Sequence, residues 1–208
     1  MRPIVEIMKL CPVIPVLVID RLEDAAPMAR ALVEGGLKVL EITLRTPAGL
    51  PAIAAMKAAA PDAVVGAGTV NSAALMAEAK AAGAEFIVSP GLTKALADQA
   101  AALDLPFLPG VATAGDILHG LEYGLGAFKF FPAETSGGAP AIKALEGPFG
   151  GIDICPTGGV TLANAPAYLA LKSVRCVGGS WITPKALVEA GDWAKVRELA
   201  AEAAALPR

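Results

Sequence analysis

An α/β fold of the (β/α)8 TIM-barrel type is what this sequence predicts, and three observations predict it. Eight short apolar runs recur along the 208 residues, each followed by a stretch rich in Ala, Leu, Glu and Lys. The runs are continuous rather than alternating, as in strands covered on both faces. Polar motifs follow nearly every run, as though converging on one mouth. At roughly 26 residues per unit, the chain can hold eight β-α units in one domain spanning residues 1–208. A doubly wound open sheet is the rival architecture; the placement of the polar motifs favours the barrel.

The elements follow in order. Residues 4–10 are expected to form a short helix closing the bottom of the barrel. The strands are expected at 13–19, 39–43, 64–68, 86–89, 107–111, 127–131, 152–156 and 174–178. Gly35-Gly36, Gly83 and Gly124 come just before strands, where helices need a C-terminal cap. Residues 114–123 read as a helix carrying His119, the only histidine, and 193–208 as the last barrel helix.

Composition excludes several classes. Apolar residues make up 55% and aromatics 5%, so the core is built from Ala, Val, Leu and Ile. The net charge of −3, with no basic block, argues against nucleic acid as a partner. No uncharged apolar stretch is long enough to span a membrane. The N-terminus carries Glu6 and Lys9 without a long apolar core and does not read as a signal peptide. Cys11, Cys155 and Cys176 are widely spaced with no CxxC pair, which suits a reducing compartment and a cytoplasmic location. With one histidine the chain cannot supply a His-based metal cluster or a Ser-His-Asp triad, so neither metal nor cofactor is expected.

The chemistry lies at the strand ends. Lys129 sits inside the apolar run Ala127-Phe128-Lys129-Phe130-Phe131. A lysine there either snorkels out or pairs with a carboxylate, or it is a buried amine that attacks a ketone. Glu41, Thr43 and Arg45 share one face of the second strand. They form either a structural Glu–Arg pair or part of a site. Gly66-Ala67-Gly68-Thr69 permits close approach of a ligand or backbone and offers a hydroxyl; it is equally a turn before a helix cap at Asn71 or Ser72. Ser89-Pro90-Gly91 and Pro109-Gly110 are turn signals. Thr157-Gly158-Gly159 and Gly178-Gly179-Ser180 follow strands seven and eight, the usual phosphate site of this fold, where bare amides and a following helix N-terminus favour an anion. A lysine, a glutamate, an arginine and hydroxyls form a kit suited to Schiff-base chemistry.

The motifs Glu41-Ile-Thr-Leu-Arg45-Thr, Gly66-Ala-Gly-Thr69-Val, Ser89-Pro-Gly, Phe128-Lys129-Phe-Phe-Pro-Ala-Glu134, Pro156-Thr-Gly-Gly159 and Gly178-Gly-Ser180-Trp span nearly the whole chain in order. In them the sequence resembles the 2-keto-3-deoxy-6-phosphogluconate (KDPG) and 4-hydroxy-2-oxoglutarate aldolase family. The resemblance implies a cofactor-independent class I aldolase of the Entner-Doudoroff pathway, typically a homotrimer. Its small-molecule partners would be a phosphorylated keto-deoxy sugar acid and pyruvate. It implies Lys129 as the Schiff-base residue, Glu41 as the proton-transfer residue, and Arg45 and Thr69 at the substrate carboxylate. Thr157, Gly158, Gly159, Gly179 and Ser180 are expected at the phosphate. An aldolase for the galactonate epimer, a phosphosugar isomerase or epimerase barrel, and a non-catalytic phosphometabolite-binding subunit are the alternatives.

Overall fold

The computed structural model describes residues 2–207. Its strands are β1 Val13–Leu17, β2 Val39–Thr43, β3 Val64–Gly68, β4 Ile87–Val88, β5 Phe107–Leu108, β6 Gly110–Val111, β7 Ala127–Phe130, β8 Asp153–Pro156 and β9 Val177–Gly179. Helix α1 Ile4–Met8 precedes them. Between them lie α2 Ala25–Glu34, α3 Gly49–Ala59, α4 Ala73–Ala81, α5 Lys94–Ala102, α6 Ala114–Glu122, α7 Gly138–Leu145 and α8 Ala165–Leu169; α9 Lys185–Ala190 and α10 Trp193–Ala204 follow. Three helices start where a hydroxyl caps them. Ser72, Thr93 and Thr113 accept from the amides of Leu75, Leu96 and Asp116, and the Asp116 carboxylate accepts in turn from the Thr113 amide.

All strand pairing is parallel. One sheet runs β5-β4-β3-β2-β1-β9 and a second runs β6-β7-β8. β5 and β6 were expected as one strand, 107–111. Pro109 divides them, because proline has no N–H to give the ladder. Isolated parallel bridges join Ile154 to Val174 and Thr157 to Gly178. The eighth strand also differs from expectation. Val13, Ile14 and Pro15 of β1 take Val177, Gly178 and Gly179 as register partners, so the strand lies three residues later than 174–178 begins and includes both glycines. β1 ends at Leu17 rather than residue 19, where side chains take over from the ladder: the Thr46 hydroxyl donates to the Ile19 carbonyl.

The buried apolar residues form one continuous cluster running from Ile7 to Ala203. Two glycines let helices close onto it. A Cβ on Gly35 would lie 2.5 Å from the Cβ of Ala200 on α10, and one on Gly120 of α6 would lie 2.3 Å from the Phe128 ring. α1 buries Ile7 and Met8, and Ile7 borders a cavity of about 690 Å³ with Val64, Ala84 and Leu105, at the amino ends of β3, β4 and β5. No helix among the described residues is long and apolar enough to cross a membrane.

Candidate active site

Phe128 of β7 faces α6, so the next residue, Lys129, faces the other way. There its Nζ lies 3.4 Å from Oε1 of Glu41 on β2, and both side chains are almost wholly buried, 6% and 4% exposed. The Phe131 ring centroid is 5.1 Å from the amine and gives it a cation–π neighbour. The expected alternatives for Lys129 thus converge: it pairs with a carboxylate, and it remains inside.

Glu41 has room because β3 carries no side chain beside it. A Cβ on Gly68 would stand 2.2 Å from Glu41 Oε1. Gly66 likewise makes space for the Phe86 ring. The glycines of this motif therefore admit the protein's own side chains, where a ligand or backbone was expected.

Arg45 lies in the turn beyond β2. Its Nε donates to the Thr69 hydroxyl at 3.1 Å, and it makes no ion pair among the described residues. The structural Glu41–Arg45 pair is not formed, and an exposed guanidinium is left for an incoming anion. Thr69 holds φ at 61°, an uncommon backbone setting for a β-branched residue. Thr43, on the face of Glu41, is withdrawn from the site: its hydroxyl donates to the Leu17 carbonyl at 2.7 Å. Ser89 is likewise satisfied locally by the Gly91 carbonyl at 2.6 Å. His119 stands apart on α6, stacked edge-on against Tyr123.

The bridge between Thr157 and Gly178 brings the two glycine motifs together. Gly158 and Gly159 both take positive φ, 99° and 78°, which glycine adopts freely. Gly178 makes room for the Thr157 side chain, whose Oγ1 would stand 2.2 Å from a Cβ there. Gly179 is strand, and the Trp181 ring packs where a Cβ on it would stand. The expected helix dipole is also absent from both turns. α8 and α9 have five and six residues and begin at Ala165 and Lys185, beyond the first-turn range over which a dipole acts. Ser180 is exposed and borders a cavity of about 500 Å³ with Val16, Arg21 and Lys185. Val16 is the register partner of Glu41, so this cavity reaches from Ser180 to the level of the buried pair.

Two polar residues of this region escaped the sequence reading. Glu134 follows the cis Phe131-Pro132 peptide and accepts a hydrogen bond from the Tyr168 hydroxyl of α8. Burial, and then that carboxylate, push the Tyr168 phenol well above its ordinary range, so it stays a donor. Glu134 lay within a quoted motif and was a legible signal; Tyr168, in a five-residue helix, offered none. Among the described residues no group of three or more His, Cys, Asp or Glu side chains is placed to hold a metal.

The parallel α/β fold holds a buried amine–carboxylate pair, and the family its sequence matches makes it an enzyme of aldolase type, a lyase. The chain belongs to the KDPG and KHG aldolase family, whose model matches residues 4–199. It is 53% identical to the 2-dehydro-3-deoxy-phosphogluconate aldolase of Zymomonas mobilis over 208 residues, covering 100% of this chain and 98% of that protein. The crystal structure of the Zymomonas mobilis ZM4 2-keto-3-deoxy-6-phosphogluconate aldolase with 3-phosphoglycerate matches with a TM-score of 0.95 at 53% identity, covering 100% of this chain and 98% of that one. The Legionella pneumophila KDPG aldolase, solved with pyruvate captured as a covalent carbinolamine, matches with a TM-score of 0.96 at 42% identity, covering 98% and 99%.

Proposed function

We propose that this protein is a Schiff-base aldolase that reversibly cleaves 2-keto-3-deoxy-6-phosphogluconate to pyruvate and glyceraldehyde 3-phosphate, with 4-hydroxy-2-oxoglutarate as a second substrate. The observation that carries this is the buried Lys129–Glu41 pair at 3.4 Å. Lys129, once it has given up a proton, adds to the C2 ketone, and loss of water leaves an iminium. Glu41 takes the C4 hydroxyl proton as the C3–C4 bond breaks. The bonding electrons move into the iminium to give an enamine, and the aldehyde leaves. Glu41 returns a proton to C3, and water releases pyruvate and the free amine. Arg45, with Thr69 at its Nε, takes the substrate carboxylate. Thr157, the Gly158–Gly159 turn, Gly179 and Ser180 form the phosphate end, and the binding energy there holds the reacting carbons against the amine.

The two sheets are read as one closed (β/α)8 barrel in a single domain. β5 and β6 are separated only by Pro109, and the bridges from Ile154 and Thr157 bring β8 to β9. The working form is read as a cytoplasmic homotrimer. Leu118 and Leu121, both exposed on α6, and Val18 and Leu22 supply apolar surface that a second copy can cover.

The test is chemical trapping. Borohydride added with pyruvate is expected to inactivate the enzyme and to leave a reduced pyruvyl group on Lys129, read by peptide mass mapping. A label on any other lysine would sink the assignment. A coupled assay for pyruvate release then compares the two substrates with the galactonate epimer.

A second prediction follows from Gly68. Gly68→Ala puts a methyl group where Oε1 of Glu41 stands. Glu41 must move by about an ångström, and kcat is expected to fall by about a hundredfold in a variant with a wild-type circular dichroism spectrum. Unchanged kcat would mean that the position of this carboxylate is not critical.

A further inference from the structure

After β7 the chain doubles back along the Gly158–Gly159 turn. The amide of Ala133 donates to the Thr157 carbonyl at 2.8 Å, and that of Glu134 donates to the Gly158 carbonyl at 3.0 Å. The Asn164 side-chain amide donates to the Gly159 carbonyl at 3.1 Å. Three successive carbonyls are thus tied into the protein. An anion approaching this turn is spared their repulsion and can meet its N–H side. The stem of Glu134 packs against the turn, since a Cβ on Gly159 would lie 2.6 Å from Glu134 Cγ. Its carboxylate is an uninvited negative charge beside a phosphate site. Among the described residues one side-chain hydrogen bond restrains it: the hydroxyl of Tyr168, a residue 1% exposed, donates to Oε1.

We propose that Glu134 and Tyr168 are a positioning pair for the phosphate end of the site. The backbone and stem of Glu134 hold the glycine turn, and the Tyr168 hydroxyl anchors the Glu134 carboxylate away from the incoming phosphate. This rests on the reading of the Gly158–Gly159 turn as the phosphate site. It gives Glu134 a role in selecting phosphorylated over phosphate-free substrates without touching the reacting atoms.

Tyr168→Phe keeps the ring and removes only the hydroxyl, so the packing of α8 survives. KM for 2-keto-3-deoxy-6-phosphogluconate is expected to rise about tenfold, the scale of one lost hydrogen bond to a charged group. KM for 4-hydroxy-2-oxoglutarate, which has no phosphate, and kcat on both substrates are expected to hold. Adding Glu134→Gln to Tyr168→Phe removes the released charge and is expected to bring KM back towards the wild-type value. A merely structural pair would show equal losses on both substrates and no rescue, and that result would overturn the proposal. Wild-type enzyme is assayed first on both substrates. Wild type without preference for the phosphorylated one refutes the phosphate-site reading itself. A preference that Tyr168→Phe leaves untouched refutes only the positioning pair.

Discussion

Lys129→Ala is expected to lower kcat by on the order of 10⁵-fold, the scale seen when the nucleophile of a covalent mechanism is removed. Lys129 is the one buried lysine among the described residues, and no second amine stands beside Glu41 to replace it. The variant is also expected to be less stable, because it leaves Glu41 buried with its cation gone. Breaking a buried ion pair costs about 3 kcal/mol or more, which for a chain of this size lowers Tm by roughly 6–12 °C. Those two effects separate. Adding Glu41→Gln to Lys129→Ala removes the stranded charge and should recover much of the lost Tm, while turnover stays absent. Wild-type levels of pyruvate release from Lys129→Ala, measured in the coupled assay, would end the Schiff-base reading.

Glu41→Gln is expected to keep the amine and lose the proton shuttle. Glutamine fits the space that Gly68 leaves and its amide oxygen still accepts from Lys129. Borohydride should therefore still trap pyruvate on Lys129. Turnover should fall by about 10²- to 10⁴-fold, the range for loss of general acid–base catalysis. Exchange of the pyruvate methyl protons with deuterated solvent, followed by NMR, should slow in parallel, because it reports proton transfer to and from the enamine. If cleavage slowed while this exchange kept its wild-type rate, the carboxylate would not be the group that protonates C3.

The elements legible in the sequence were those whose signal is local. β2 and β3 lie where the apolar runs 39–43 and 64–68 place them, because a strand covered on both faces must be apolar throughout. The same runs exposed Glu41 and Lys129 as residues out of character with their surroundings. The family resemblance then attached roles to them. Runs failed where pairing rather than composition sets the boundary. The apolar stretch 174–178 does not coincide with β9, since the register with Val13–Pro15 starts the strand at Val177 and carries it through Gly179.

Glycines in and beside strands were harder to read than those that cap helices, for a definite reason. A glycine in a sequence says that a Cβ is missing but not what fills the space. Gly68 is vacant for a carboxylate from β2, Gly178 for the Thr157 side chain, and Gly179 for the Trp181 ring. Gly158 and Gly159 keep the expected turn character, and Gly36, Gly83 and Gly124 cap α2, α4 and α6 as expected, all through positive φ.

By itself the sequence determined the parallel α/β class, the family, and the kit of an amine, a carboxylate, a guanidinium and hydroxyls. Each of these is carried by residue identity and short-range order. Tertiary structure decided the partnerships. Glu41 pairs with a lysine 88 positions away rather than with Arg45, four positions on, and Glu134 is held by a tyrosine from a different β-α unit. Charges and hydrogen bonds act over a few ångströms of space, and the folding of the strands side by side, not distance along the chain, brings those groups within reach.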